Sequence, residues 1–158
     1  MTNEHLQIDL NEIPGHYVRR IHQIVVALFM QEMGDHNVTP VQYSALQTIC
    51  KSPGIEQGAL ARTIGFDTST IGNVIDRLES RGLVRRQIGS TDKRVRQITA
   101  TQDGEKLLAQ VVPSMLRSQQ RFLEPLLPKE RRELMRTMRR LIEAHSANGY
   151  GYSLPPAD

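Results

Sequence analysis

The sequence predicts a mainly α-helical fold that carries one small β-hairpin and a helical arm from each terminus. Three observations lead to this prediction. Apolar residues recur at helical spacing along most of the 158 residues. One stretch, residues 83–99, instead shows two short β-patterned runs joined by a turn. Gly or Pro stands at most boundaries between these segments, where helices begin and end.

Six helices are expected, and capping residues mark their boundaries. Pro14 suits the first turn of the first helix, and Gly34 suits its end. Thr39 is a candidate N-cap of the second helix, and either Asp67 or Thr68 caps the fourth. The six helices are expected within residues 14–34, 39–54, 55–65, 66–82, 101–126 and 128–147.

Composition excludes some functions, and the charge distribution favours one. Aromatic residues are 4% of the chain and Trp is absent, so a large aromatic groove for sugars or peptides is not expected. The net charge is only +3, but the cations cluster between residues 77 and 96 against two acids, Glu79 and Asp92. A basic patch confined to one region is typical of a polyanion-binding surface. Its seven cations are Arg77, Arg81, Arg85, Arg86, Lys93, Arg94 and Arg96.

The order of the central elements predicts a winged helix-turn-helix. Two short helices separated by a tight turn are followed by a hairpin, the wing. The fourth helix turns Ile71, Val74, Ile75 and Leu78 inward, so its outer face carries small polar groups that can reach base edges or phosphates. Gly72 and Asn73 are poor helix formers. Close approach to DNA would explain them, and so would a solvated face.

The hairpin and the helix before it resemble the MarR family of bacterial transcriptional regulators. "DKR" (92–94), followed by Thr101 and Gly104, matches that family's wing signature of Asp-x-Arg with Thr and Gly nine and twelve positions after the Asp. "VIDRLESRGLVRR" (74–86) matches the recognition helix and the first wing strand. The helix order matches over residues 13–145, with one departure at Ala100, where the family usually has Leu.

The resemblance implies a homodimer that binds double-stranded DNA. Residues 13–38 and 104–146 would form a helical dimerisation region, residues 39–103 the DNA-binding domain, and residues 1–12 and 147–158 flexible tails. The two recognition helices would enter successive major grooves of a pseudo-palindromic operator, about 34 Å apart. The apolar stripes of the two arms independently favour a partner surface.

The expected DNA-binding residues come from the outer face of the fourth helix and from the wing. Arg94 would reach a phosphate or the minor groove, and Asp92 would hold Arg94 or a neighbouring Arg through a charge-assisted pair. The alternative is a solvated charged hairpin with no partner. The full set is Thr68, Ser69, Thr70, Gly72, Asn73, Arg77, Arg85, Arg86, Lys93, Arg94 and Arg96, with Asp92 in support.

The first helix suggests a ligand site. His16, Arg20 and Gln23 fall on one helix face, with Tyr17 and Arg19 beside them. A guanidinium pairs bidentately with a carboxylate, and this pattern resembles that of family branches that respond to small aromatic acids. A small aromatic carboxylate is therefore one expected ligand. The alternative is that these cations pair with acids or reach solvent.

Other classes of function have weaker support. The five His residues show no metal-ligand spacing, and no phosphate-binding Gly-rich loop occurs, so an enzyme, a metal and a cofactor are not expected. Cys50 is the single Cys and is either a redox switch or a small buried apolar residue. The longest apolar run is too short to cross a membrane, and a cytoplasmic protein is expected. A DNA-architectural protein without a ligand remains an alternative.

Overall fold

Six helices and a three-stranded antiparallel sheet make up the computed structural model, which describes residues 8–89, 92 and 94–148. The predicted fold class, mainly helical with a winged helix, is confirmed. The helices are α1 (Pro14–Met33), α2 (Pro40–Lys51), α3 (Gln57–Ile64), α4 (Thr68–Ser80), α5 (Gln102–Leu123) and α6 (Pro128–Ala147). The strands are β1 (Ile55–Glu56), β2 (Val84–Ile88) and β3 (Arg96–Ala100). Within the predicted tails, Leu10–Glu12 forms a 3-10 helix, and residues 1–7 and 149–158 lie outside the described part.

The start of the third helix was predicted wrongly. Ile55 and Glu56, expected to be helical, form β1 instead, and α3 begins only at Gln57. β1 pairs with β3 in the register Ile55↔Ile98, and the Gly54 N–H donates to the Ile98 carbonyl at 2.9 Å. A two-residue strand is too short to show an alternating pattern, so the local sequence carries no signal for it.

The main core lies between the sheet and helices α2, α3 and α4. Ile98, at the centre of β3, is fully buried and is the register partner of both Ile55 and Arg86. Leu46, Leu60 and Ile75, one from each of the three helices, belong to the same buried cluster and are equally inaccessible. Burying an aliphatic side chain of this size contributes about 1.5–3 kcal/mol, so the domain formed by these elements has an apolar centre of its own.

The arms form a second, smaller core. Phe29 and Met33 of α1 pack with Val38 and with Val111 of α5, and all four are buried. Near this cluster, Glu32 accepts from Arg117 Nε at 3.0 Å, which fastens α1 to α5. Arg121 binds the same carboxylate at 2.8 Å. The two arginines hydrogen-bond Glu32 and lower its pKa. α1 and α5 therefore form one packed arm.

Large parts of the arms remain uncovered within one chain. Tyr17, Val18, Ile21 and Ile24 are 41–65% exposed along one side of α1. No residue of α6 is buried. Its exposed apolar residues are Met135, Leu141 and Ile142.

The turn between α4 and β2 is fastened to the start of α5. Thr101 donates through its hydroxyl to the Gly82 carbonyl at 2.6 Å and caps α5 by accepting from the Gly104 N–H at 3.1 Å. A Cβ at Gly104 would lie 2.1 Å from the Leu83 carbonyl oxygen. The Thr and Gly of the wing signature are therefore explained by packing of the wing base against the arm.

One arginine joins α4 to the wing. Arg86 of β2 donates to Glu79 through Nε at 3.0 Å and through Nη2 at 2.7 Å, and its backbone N–H donates to the same carboxylate at 3.1 Å. The guanidinium also contacts Asp76. The side-chain and backbone hydrogen bonds from Arg86 lower the pKa of Glu79 below its ordinary 4.5. The same pairing raises the pKa of Arg86.

Gly104→Ala should destabilise the protein by about 1–3 kcal/mol, because the new methyl collides with the Leu83 carbonyl. The same change in an open helical position stabilises by up to about 1 kcal/mol. Gly15→Ala is the matched control, since a Cβ at Gly15 of α1 meets no atom within 4 Å. Urea unfolding at equal protein concentration measures both. Equal midpoints for wild type and Gly104→Ala would contradict the packing described.

Glu79→Gln should lower the melting temperature at pH 7 by about 1–3 °C, as expected for a partly exposed ion pair. Because the folded-state pKa of Glu79 is lowered, its stabilisation is present above the unfolded value and is lost as the pH falls through the folded one. The difference between variant and wild type should therefore shrink below about pH 4.5. Glu143→Gln on exposed α6 is the control, and the same pH dependence there would refute the assignment.

Candidate nucleic-acid interface

The outer face of α4 is polar and accessible. Asp67 caps the helix by accepting from the Thr70 N–H at 2.8 Å, and it also accepts from the Thr70 hydroxyl at 2.6 Å. These hydrogen bonds, the hydroxyl first, lower the pKa of Asp67, so it stays charged at the helix start. The inward residues Ile71, Val74, Ile75 and Leu78 are buried as predicted. The exposed residues of α4 are Thr68, Ser69, Asn73, Asp76, Arg77 and Ser80, and Asp76 pairs with Arg86.

Two predicted members of this face also have neighbours within the protein. The Thr70 hydroxyl gives its hydrogen to Asp67, so it is available to DNA only as an acceptor. Gly72 is half-buried, and a Cβ there would lie 3.3 Å from Nε2 of Gln57 in α3. That atom is the tip of a flexible side chain that can move by this much, so packing against α3 does not by itself require glycine at position 72.

The wing ends in a tight turn organised by Asp92. Its carboxylate accepts from the Arg94 backbone N–H at 2.9 Å, and its carbonyl accepts from the Val95 N–H at 3.1 Å. The prediction that Asp92 holds a guanidinium is not what the described contacts show: Asp92 orders the backbone of the turn and leaves the Arg94 side chain exposed. A short carboxylate that closes a turn on the residue two positions ahead is a common Asp role. Lys93 lies outside the described residues.

Two grooves border α4. The first, about 300 Å³, lies between the wing and the starts of α3 and α4. The second, about 240 Å³, lies between α4 and the start of α2. The first is lined by Glu56, Gln57, Gly58, Thr68, Arg94, Val95 and Arg96, and the second by Thr39, Val41, Gln42, Thr70, Asn73, Val74 and Arg77. Gln57 and Thr39 were not predicted at the site, because only the folded chain brings α2 and α3 beside α4.

Five of the seven cations of residues 77–96 divide into two groups, whereas Arg96 lines the groove beside the wing and Lys93 lies outside the described residues. Arg86 is bound by Glu79 and Asp76, and Arg81 donates to two backbone carbonyls, so both guanidinium groups serve the fold. Within the described ranges, the side chains of Arg77, Arg85 and Arg94 are exposed and make no ion pair. Those three groups are the side chains best placed to meet an external anion.

The predicted ligand residues lie together on α1, and Arg19, which was expected beside the others, contacts two of them. Arg19 contacts Gln23 Oε1 at 3.3 Å and His16 Nδ1 at 3.4 Å, whereas Arg20 had been expected to share their face. Tyr17 lies edge-on to the His16 ring, with centroids 6.1 Å apart. Both i,i+3 and i,i+4 neighbours meet on a helix, and sequence spacing alone does not choose between them.

The setting of Cys50 disfavours a redox switch. Burial first, and then the negative charge of Glu105, raise the pKa of the Cys50 thiol. The thiolate is the reactive form of cysteine, so both effects lower the reactivity of Cys50.

Within residues 8–89, 92 and 94–148, no group of three or more potential ligands is arranged to hold a metal ion. In the same residues no helix combines the length and apolarity needed to cross a bilayer.

Comparison with known proteins agrees with this geometry. A model of the MarR family matches residues 38–95. Transcriptional regulator HosA of Escherichia coli O111:H- is 34% identical over 129 residues, which are 82% of this chain and 94% of HosA.

Solved structures share the fold over most of the chain. PcaV of Streptomyces coelicolor in complex with its natural ligand superposes with a TM-score of 0.82 at 29% identity, covering 88% of this chain and 98% of PcaV. Bordetella bronchiseptica BpsR, whose DNA binding is regulated by 6-hydroxynicotinic acid, gives a TM-score of 0.81 at 27% identity over 85% of this chain and 96% of BpsR. With the winged helix in place and HosA similar along nearly its whole length, the chain belongs to the MarR family of transcriptional regulators.

Proposed function

We propose that this regulator is a homodimeric repressor that binds a pseudo-palindromic operator in double-stranded DNA and is released by a small aromatic acid. The observation that carries the DNA part is the shared groove between α4 and the wing. Thr68 from α4 and Arg94 and Arg96 from the wing line it together. A helix and a hairpin that present polar and cationic side chains to one groove match the docking of a winged helix on duplex DNA.

Each part of this surface has a distinct role in the proposal. Ser69 and Asn73, exposed on α4, reach base edges in the major groove. Arg77 and Arg85 bind phosphates and fix the position of the head, which comprises residues 39–103. Arg94 reaches a phosphate or the minor groove from the wing. Arg86 acts indirectly, because Glu79 and Asp76 neutralise it and thereby hold β2 against α4.

The homodimer is proposed from the uncovered arms. Residues 13–38 and 104–146 carry apolar residues on α1 and α6 that one chain leaves exposed. A two-fold pairing of these arms would bury them, and self-complementary pairing is the commonest form of homo-oligomer. Two heads held by one symmetric arm would then face successive major grooves.

The ligand part rests on the polar cluster of α1. His16, Arg19 and Gln23 form a chain of contacts, and Tyr17 stands beside His16. The Arg19 guanidinium can pair with a carboxylate, and the Tyr17 ring can pack against an aromatic ring, so the cluster suits a small aromatic acid. BpsR, a structural neighbour, responds to 6-hydroxynicotinic acid, which is of this class. Binding beside the arms would change the spacing of the two heads and so weaken operator binding.

Arg94→Ala should weaken operator binding about tenfold or more, as the loss of one charged contact worth about 1.5–3 kcal/mol. Arg85→Ala should also reduce the slope of log affinity against log salt by about 0.9, the value for one phosphate. The operator is selected from a random duplex pool with the full-length wild type, and binding is followed by fluorescence anisotropy at several salt concentrations.

Arg139→Ala, an exposed arginine on α6, is the control for the loss of one positive charge. Undiminished affinity of Arg94→Ala at moderate salt would refute its contact with DNA. Equal affinity of the wild type for selected and random duplex would instead favour the architectural alternative.

Arg19→Ala should abolish most of the thermal stabilisation that a small aromatic carboxylate gives the wild type, because the dissociation constant rises about tenfold or more when a charge-assisted bond is lost. Benzoate, 4-hydroxybenzoate and nicotinate are the probes, and melting temperature is the readout. Arg20→Ala is the comparison, since Arg20 lies next in the chain without joining the contacts of His16 and Gln23. Stabilisation of Arg19→Ala equal to that of the wild type would remove Arg19 from the site.

A further inference from the structure

Arg81 links the end of α4 to the segment between α1 and α2. It is the C-cap residue of α4, and its guanidinium donates from Nη1 to the Asn37 carbonyl at 2.7 Å and from Nη2 to the His36 carbonyl at 3.1 Å. Two nitrogens of one planar fork bind two consecutive carbonyls, so the contact fixes direction as well as distance. Its role differs from that of the exposed Arg77 on the same helix.

The carbonyls that Arg81 binds belong to the hinge between the arm and the head. The short loop from Gly34 to Asn37, which contains the 3-10 helix Gly34–His36, joins α1 to α2. Gly34 and Asn37 have positive φ, 52° and 51°. On either side of the loop, Met33 and Val38 are buried in the arm core. The loop is therefore anchored to the arm, and its carbonyl positions follow the orientation of α1.

The residues after Arg81 are held from the other arm helix. Gly82 and Leu83 offer their carbonyls to Thr101, the N-cap of α5, through its hydroxyl at 2.6 Å and its backbone N–H at 3.0 Å. The α4–β2 turn, residues 81–83, is thus attached to the end of α1 on one side and to the start of α5 on the other. α4 ends at this turn, and the first strand of the wing begins after it.

We propose that Arg81 is a positioning residue that sets the orientation of α4 relative to the arm and thereby the half-site spacing that the dimer accepts. The inference rests on the proposed DNA-binding dimer. Arg81 lies at the C-terminal end of α4, about 20 Å along the helix from Thr68 at 1.5 Å per residue. It acts on the reading face through the helix and the hinge, without touching DNA.

The length of α4 makes the accepted half-site spacing sensitive to the contact of Arg81 with the two carbonyls. A rotation of about 10° at the Arg81 end displaces the other end of a helix about 20 Å long by about 3.5 Å. That displacement is close to the roughly 3.4 Å rise of one base pair. Loss of a contact that prevents such a rotation therefore changes the tolerance for operator spacing by about one base pair.

The test compares three duplexes: the operator selected with the wild type, and the same half-sites brought closer or moved apart by one base pair. A duplex with a single half-site is the fourth probe. The wild type should bind the selected spacing at least about tenfold more tightly than either altered spacing. Arg81→Ala should bind all three spacings within about threefold of one another, and should bind the single half-site as the wild type does.

Two further variants complete the design. The spacing ratio is the affinity for the selected spacing divided by the affinity for an altered one. Arg81→Lys keeps the positive charge, but its single ammonium group cannot bind both carbonyls as the guanidinium does. Its spacing ratio should therefore fall between those of Arg81→Ala and the wild type. Arg77→Ala, also on α4, should lose affinity on every duplex and keep the wild-type ratio. Melting temperatures of all variants, measured at the same concentration, show that each is folded under the conditions used.

The outcomes separate this inference from the proposed function. A wild type that binds every duplex alike overturns the proposed function, and the role of Arg81 with it. A selective wild type together with an unchanged spacing ratio in Arg81→Ala overturns the inference alone. The inference is also overturned if Arg81→Ala loses affinity equally for all three spacings and for the single half-site, because a residue that contacts DNA directly gives that pattern.

Discussion

The close approach of the Leu83 carbonyl to Gly104 fixes how the two halves of this protein meet. No side chain larger than hydrogen fits at Gly104, and the Thr101 hydroxyl closes the same junction by binding the Gly82 carbonyl. The end of α4, the base of the wing and the start of α5 are therefore held at van der Waals and hydrogen-bond distances. Close-packed contacts of this kind transmit displacement without absorbing it.

The arginines of the winged helix either stabilise the fold or present positive charge to the outside, and composition alone does not show which does which. Arg86, between Glu79 and Asp76, and Arg81, on the hinge carbonyls, use their guanidinium groups to build the surface. Arg85 and Arg94 make no ion pair among the described residues and point their charge outward. Arg85 and Arg86 are neighbours on β2, so one strand carries both an available and a structural arginine.

Local sequence signals predicted the helices well, because capping and chain-breaking residues act within one turn. Thr39 and Asp67 cap their helices as expected, and Gly82 ends the α4 segment. The wing hairpin and the inward face of α4 also followed from periodicity. These features depend only on neighbours in the chain.

The remaining features depend on contacts between different elements or on side-chain rotamers. β1 exists because Ile98 lies beside Ile55, and the positive charge of Arg86 is paired because the fold brings Glu79 of α4 beside β2. The choice of Arg19 over Arg20 depends on side-chain rotamers on one helix. No local pattern shows these contacts. The sequence therefore predicted where the candidate surface lies, but not which of its arginines stabilise the fold and which remain available.

The arms give the winged helices their spacing in the proposed regulator, since the apolar sides of α1 and α6 lie uncovered in one chain. Hydroxyl-radical footprinting of the full-length protein on its selected operator tests this arrangement most directly. A two-fold symmetric pair of protected blocks, centred about one helical turn apart on one face of the duplex, is the predicted result. A single protected block, or uniform protection without symmetry, would contradict it.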